Sequence, residues 1–155
     1  MQKELGIASP EDRTLISPCG LYCANCPLYK ARTDESLRNK IAERQGIPAE
    51  KVLVCAGCRP SNGVVPESGG ASVCDTYACA LNDKKIEFCY ECEDFPCLKL
   101  APCADRAQEI PHNTKIYNLL WLHKLGIDAW LERYPSLMRQ YLRGKKPRAG
   151  TDIQL

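Results

Sequence analysis

The sequence predicts a mainly α fold with irregular metal-binding loops and at most short β segments, a cysteine-rich small domain stabilised by zinc. Three observations lead there. Ten of the 11 cysteines lie between Cys19 and Cys97, and six of them form pairs with two residues between. Leu, Ile, Val and Phe together make up 33 of the 155 residues, a share near the level below which chains fail to bury an adequate core. Helix punctuation recurs over residues 33–45 and again beyond residue 113. A chain of this length holds one core, so residues 1–155 are expected to form a single domain, with a cysteine-rich metal-binding part over 15–104 and a C-terminal helical part over 112–143 packed on it. Metal cross-links would supplement the thin core, since a structural zinc site contributes roughly 10–16 kcal/mol of apparent binding free energy.

The first eighteen residues scatter charges and contain no apolar run, and no stretch approaches the roughly 20 apolar residues of a membrane span. A cytoplasmic chain with no membrane partner is the expectation, and there thiols stay reduced and serve as ligands more often than as staples. The formal charge is +2 with neutral thiols. Eight thiolates around two zinc ions would make it −2, because coordinating thiols are deprotonated. Charge therefore gives nucleic-acid binding little support.

In chain order, residues 1–13 read as a polar lead-in, with Ser9-Pro10 as a breaker. Cys19, Cys23 and Cys26 stand at i, i+4 and i+7, so a helical turn would put all three sulfurs on one face. Pro27 limits such a helix, and a loop converges the three equally well. Residues 33–45 predict a helix capped by Thr33 and stopped by Gly46, burying only a narrow stripe through Leu37 and Ile41. Gly57 eases the turn between Cys55 and Cys58. Residues 59–73 read as an exposed loop, and Gly69-Gly70 lacks the spacing of a phosphate cradle. On a regular helix Cys74 and Cys79 would diverge by about 140°. Sharing an ion therefore needs Cys74 in a turn and Cys79 near a helix start.

Residues 86–88 predict a short strand or an extended entry into the cluster of Cys89, Cys92 and Cys97. The aromatics Tyr22, Tyr29, Phe88, Tyr90 and Phe95 predict a dry shell around the thiolates rather than a substrate surface. Asn113 is expected to cap a helix with Ile116, Leu119, Leu120 and His123 on one face, ending at Gly126. A second short helix carries Ala129, Trp130 and Tyr134 up to Pro135, and a third covers 137–142, with Trp121 and Trp130 as anchors. Residues 143–148, RGKKPR, read as a solvated basic tail.

The runs CGLYCANCPLY (19–29), CAGCR (55–59), CDTYACA (74–80), FCYECEDFPC (88–97) and GIDAWL (126–131) occur in order. The chain resembles a small cysteine-rich family of bacteria and archaea known only as a domain of unknown function, with the pattern CGLxCxxCPxY, CxGCR, CxxxxCA, FCxECxxFPC and GxxxWL. The resemblance spans roughly residues 15 to 132 and carries no activity with it. It implies that ten cysteines belong to the pattern and that Cys103 is extra. The basic C-terminus departs from members that carry a further cysteine-rich tail.

The predicted metal ligands are Cys19, Cys23, Cys26, Cys55, Cys58, Cys74, Cys79, Cys89, Cys92 and Cys97, enough for two four-thiolate zinc sites with two thiols in reserve. The short loop between them favours joining Cys55 and Cys58 with Cys74 and Cys79. The second site then takes Cys23 and Cys26 with two of Cys89, Cys92 and Cys97, or Cys19. Sites closed by four thiolates are structural, because catalytic zinc keeps an open position. The rival is an iron–sulfur cluster on Cys19, Cys23 and Cys26 with Cys97 as fourth ligand. That spacing is used by radical enzymes dependent on S-adenosylmethionine, but the chain lacks their length and their alternating βα pattern.

No catalytic residue is predicted. His112 and His123 adjoin no nucleophile motif, the acids Glu91, Glu93 and Asp94 read as a charged loop, and no thioredoxin-like context surrounds any cysteine pair. The sequence thus favours a zinc-stabilised interaction module for a protein partner. An iron–sulfur or thiol redox protein and a nucleic-acid-binding zinc domain are the alternatives, and the oligomeric state is left open.

Overall fold

The computed structural model describes residues 9–67, 70–100 and 113–144. The expectations for residues 1–8, Cys103, His112 and most of the basic tail fall outside these. The fold is mainly helical, with one short antiparallel hairpin.

Ser9 starts a helix rather than breaking the chain. Its hydroxyl accepts from the Asp12 amide at 3.0 Å while the Asp12 carboxylate accepts from the Ser9 amide, a reciprocal cap over α1, Pro10–Thr14. Pro27 likewise opens α2, Pro27–Lys30, at its first position, where a missing N–H costs nothing. The expected helix over 33–45 is α3, Glu35–Gln45, capped one residue later than predicted. The Asp34 carboxylate accepts from the Leu37 amide at 2.9 Å, and Gly46 ends the helix in the left-handed region. Only Ala42 is fully buried along it.

Within the expected loop over 59–73, β1 (Val64–Glu67) pairs with β2 (Gly70–Val73), Val64 opposite Val73. Conversely, residues 86–88 join no strand and instead enter the last cluster as extended backbone, with Phe88 at φ −130°, ψ 145°. The Ile86 amide is spent on the Ala80 carbonyl at 2.9 Å, and the Glu87 carbonyl is taken by Arg59 at 2.7 Å, so neither is free to form a ladder. Between these segments, α4 (Asp75–Tyr77) runs into a π-helical turn, Ala78–Asp83.

Helix α5, Thr114–Leu125, is capped as expected by Asn113, whose side chain accepts from the Ile116 amide at 3.2 Å. Its buried face is Tyr117, Asn118, Leu119 and Leu122, whereas Leu120 and His123 face outward. The two short helices predicted after Gly126 are one, α6, Ile127–Arg143, with Pro135 inside it. Proline in a helix interior costs about 3 kcal/mol. Trp130, Tyr134, Leu137 and Tyr141 form one buried stripe across the break, and each large side chain buried returns about 1.5–3 kcal/mol. The stripe outweighs the proline.

A single cluster of buried side chains joins both parts of the chain, with Ile16, Phe88 and Leu100 from the cysteine-rich part and Leu119, Leu122, Trp130 and Leu137 from α5 and α6. Trp130 is the expected anchor, whereas Trp121 is only partly buried. Gly20, between the first two cysteines, lies against α5. Its φ is +84°, and a Cβ there would stand 2.9 Å from Leu119 Cγ and 3.1 Å from the Lys115 carbonyl. The Gly20 carbonyl accepts from Asn118 Nδ2 at 2.8 Å. Arg13 adds a two-pronged ion pair to Asp128.

Candidate metal centre

Two of the three cysteine pairs share one backbone shape. An extended aromatic, Tyr22 or Phe88, enters a 3₁₀ turn, Cys23–Asn25 or Cys89–Glu91. In each the fourth residue bonds back to the first, Cys26 to Cys23 at 2.9 Å and Cys92 to Cys89 at 3.2 Å. The exits match too, with φ −73°, ψ 132° at Cys26 and φ −76°, ψ 135° at Cys92. Such a turn points both sulfurs of a pair to one side, the arrangement a shared ion needs.

The third pair, Cys55 and Cys58, docks on the first. The Cys55 amide bonds the Leu28 carbonyl at 3.2 Å. Two backbone amides aim at sulfur, Gly57 at Cys55 Sγ (3.4 Å) and Cys58 at Cys23 Sγ (3.3 Å). Gly57 has φ +106°, and a Cβ would come 3.0 Å from Leu15 Cδ2, so the close approach needs glycine. The hairpin then folds Cys74 back towards Cys58 through Gly63, whose amide donates to the Cys58 carbonyl at 2.8 Å and whose carbonyl accepts from Cys74 at 2.9 Å.

Cys79 goes elsewhere. The Lys84 amide reaches the Cys79 carbonyl at 2.9 Å, five residues back, which is the π-helical bond. Cys79, Cys89, Cys92 and Cys97 line one recess of about 390 Å³, with Ala80, Ile86, Phe95 and Leu100 as its apolar walls and Lys84 and Asp94 among its polar residues. The expected grouping of Cys55, Cys58, Cys74 and Cys79 is therefore half kept: Cys74 stays with Cys58, and Cys79 does not. Cys97 shares the recess with Cys79, so the predicted iron-cluster set of Cys19, Cys23, Cys26 and Cys97 is divided between two places. Among the described residues no three Cys, His, Asp or Glu side chains already converge as a finished metal site.

Cys19 lies between the two groups. It is buried, and its sulfur is 3.1 Å from Ser17 Oγ. The Cys89 amide bonds the neighbouring Pro18 carbonyl at 2.9 Å. Arg59 spans the same junction. Its Nε donates to the Ile16 carbonyl and its Nη2 to the Glu87 carbonyl, each at 2.7 Å, and its guanidinium sits 5.1 Å from the Phe88 ring centre. One side chain thus fastens the segments entering the first and last cysteine clusters.

The thiols carry the electrostatic signature of crowding. Burial pushes Cys58 up to about 12, Cys19, Cys23 and Cys74 add to it, and Arg59 opposes. Burial also pushes Cys89 up to about 12, with Cys19, Cys97, Cys79 and Cys92 adding. Cys23 is raised by burial, partly offset by the Cys58 amide, and raised further by Cys55, Cys19 and Cys26. Buried neighbouring thiols resist ionisation until a cation compensates them, and a divalent ion reverses the preference outright.

The aromatics contact other rings and an arginine. Tyr22 meets Trp130 and Tyr134 edge-on at 5.8 and 5.0 Å, Phe88 stacks on Tyr90 at 5.5 Å, and Tyr29 lies beneath the Arg32 guanidinium. His123, expected on the buried face, stacks on Tyr90 from outside at 5.1 Å. The acids near the last knuckle have structural partners: Glu91 accepts from the Glu87 amide at 3.0 Å, and Asp94 pairs with Lys84 at 2.7 Å. Arg59, Gly63 and Asn118 were not singled out from the sequence. Arg59 stands in the CxGCR motif, which was its one available signal.

These features define a mainly helical, cysteine-rich domain whose first and last cysteine pairs sit in matching 3₁₀ turns. Residues 15–102 match the family described as protein of unknown function (DUF3795), and the chain belongs to that family. No curated protein and no solved structure matches the chain. The GIDAWL segment at 126–131, counted in the sequence resemblance, lies beyond the matched residues. No helix among the described residues is long and apolar enough to cross a membrane.

Proposed function

We propose that this protein binds two zinc ions in closed thiolate sites and acts as a zinc-stabilised module for a protein partner. The observation that carries the reading is the recess that Cys79 lines together with Cys89, Cys92 and Cys97 from a later stretch of chain. Soft thiolates without imidazole suit zinc or iron–sulfur clusters, and sites closed by four thiolates hold zinc for structure rather than catalysis. Amide donors aimed at Cys55 and Cys23 stabilise thiolate sulfur. Zinc would supply the positive charge that the crowded thiols lack. The partner-binding role draws on apolar side chains left outside the core, Leu98, Leu120 and Leu142 among them.

Metal analysis and an absorbance spectrum of anaerobically purified protein test the proposal. Two zinc per chain in a colourless sample is expected, with loss of circular dichroism on adding a strong chelator. Stoichiometric iron in a brown sample replaces the zinc reading with the cluster reading. A metal-free protein with an unchanged spectrum overturns both.

A further inference from the structure

We infer that Cys79, Cys89, Cys92 and Cys97 form one self-contained four-thiolate site for a zinc ion, and that the second site draws its four ligands from the other six cysteines of the pattern. This rests on the zinc reading and goes further, because it assigns ligands and separates Cys74 from Cys79, which the sequence puts together.

Three local structures bring the four cysteines to the lining of one recess, from which their side chains would close on an ion. The π-helical turn holds Cys79 beside Ala80, a residue of the buried core. A regular α-helix from Cys74 would send the two sulfurs apart by about 140°, and the π turn releases Cys79 from that register. The 3₁₀ turn supplies Cys89 and Cys92 as a preformed pair. The chain then doubles back, with the Phe95 amide on the Cys92 carbonyl at 3.0 Å and the Leu100 amide on the Cys97 carbonyl at 3.0 Å. Cys97 is the exposed member of the four. It occupies the rim, where a last ligand can close over an ion already held by three.

The remaining candidates are committed elsewhere. Cys74 is fastened through Gly63 to the Cys58 carbonyl. Cys19 adjoins Cys89 but does not line the recess, and its sulfur contacts Ser17 Oγ. At the mouth, Lys84 is paired with Asp94 at 2.7 Å. Four thiolates around one zinc carry a net charge of −2, and Lys84, which also hydrogen-bonds Cys92, would offset part of it by turning from Asp94 towards the sulfurs.

The test is cadmium-113 NMR on the full chain loaded with cadmium, a thiophilic stand-in that reports each ligand through coupling to its β protons. Two resonances are expected, with the β protons of Cys79, Cys89, Cys92 and Cys97 correlating to one and to no other. Cys97→Ser, at an exposed position, is expected to lower bound zinc from two to one per chain and, in the cadmium-loaded chain, to abolish that resonance alone. Cys74→Ser should leave it unmoved. Correlation of Cys79 with the resonance that carries Cys55 or Cys58 overturns the assignment while leaving the zinc reading intact. Failure of the wild-type chain to bind zinc or cadmium overturns both.

Discussion

Replacing Arg59 with alanine removes two hydrogen bonds and a ring contact at the junction of three cysteine-bearing segments. The bonds to the Ile16 and Glu87 carbonyls are each 2.7 Å, the first partly buried and the second exposed. A hydrogen bond from a charged donor contributes about 1.5–3 kcal/mol, and solvent exposure of the second holds the pair to the low end. The guanidinium over Phe88 adds about 0.5–1 kcal/mol. The expected loss is therefore about 3.5–4 kcal/mol. For a chain of 150 residues or more, each kcal/mol shifts Tm by roughly 2–4 °C, so Arg59→Ala should melt about 7–16 °C below wild type. Arg59→Lys should recover about half of the loss, because a lysine reaches one carbonyl but has no planar fork to span both. Thermal unfolding followed by circular dichroism, at fixed zinc and protein concentration, measures both variants. An alanine variant within about 2 °C of wild type would refute the clamp.

Gly63→Ala should destabilise by about 2–4 kcal/mol, from left-handed strain and overpacking against Tyr77. Its φ is +77° and a Cβ would stand 2.8 Å from Tyr77 Cβ, so denaturant melts of the variant should show an earlier midpoint at unchanged slope. Pro135→Ala should stabilise by about 1–2 kcal/mol, since it restores a helical N–H and gives back part of that gain as unfolded-chain entropy; a lower Tm would contradict the continuous α6. Whatever folded structure survives metal removal should lose stability as pH rises from about 9 to about 12, because Cys58 and Cys89 are raised from 9.0 to about 12 when folded. The sign follows from linkage: the folded state holds these protons through that range, so stability is full below the unfolded value and lost as pH rises through the folded one. Zinc-loaded protein should show no such decline, and melts across the pH series compare the two.

The helices with their own punctuation were legible. Asn113 and Gly46 cap where the sequence says they should, because each acts within a few residues of itself. The misread elements depend on distant contacts. Pro135 looks like a stop until Trp130 and Leu137 are seen buried on one stripe. Residues 86–88 look like a strand until Arg59 takes the Glu87 carbonyl. The cysteine pairs were plain, whereas their grouping was not: spacing along the chain put Cys79 with Cys74, and the π-helical turn carried it to the recess of Cys97. The exposed loop over 59–73 became a hairpin because Gly63 anchors its base to both Cys58 and Cys74.

The hydrogen bond from Asn118 to the Gly20 carbonyl joins residues 98 positions apart. Chains emerge at about 5–20 residues per second, so the first cysteine loop waits on the order of 5–20 s after its own synthesis for the helix that covers it. Throughout that interval its thiols are available to any metal or oxidant in the surroundings. Early capture of an ion by Cys23 and Cys26 would shorten the exposure. The order of assembly would then be set by ligand supply as much as by the core.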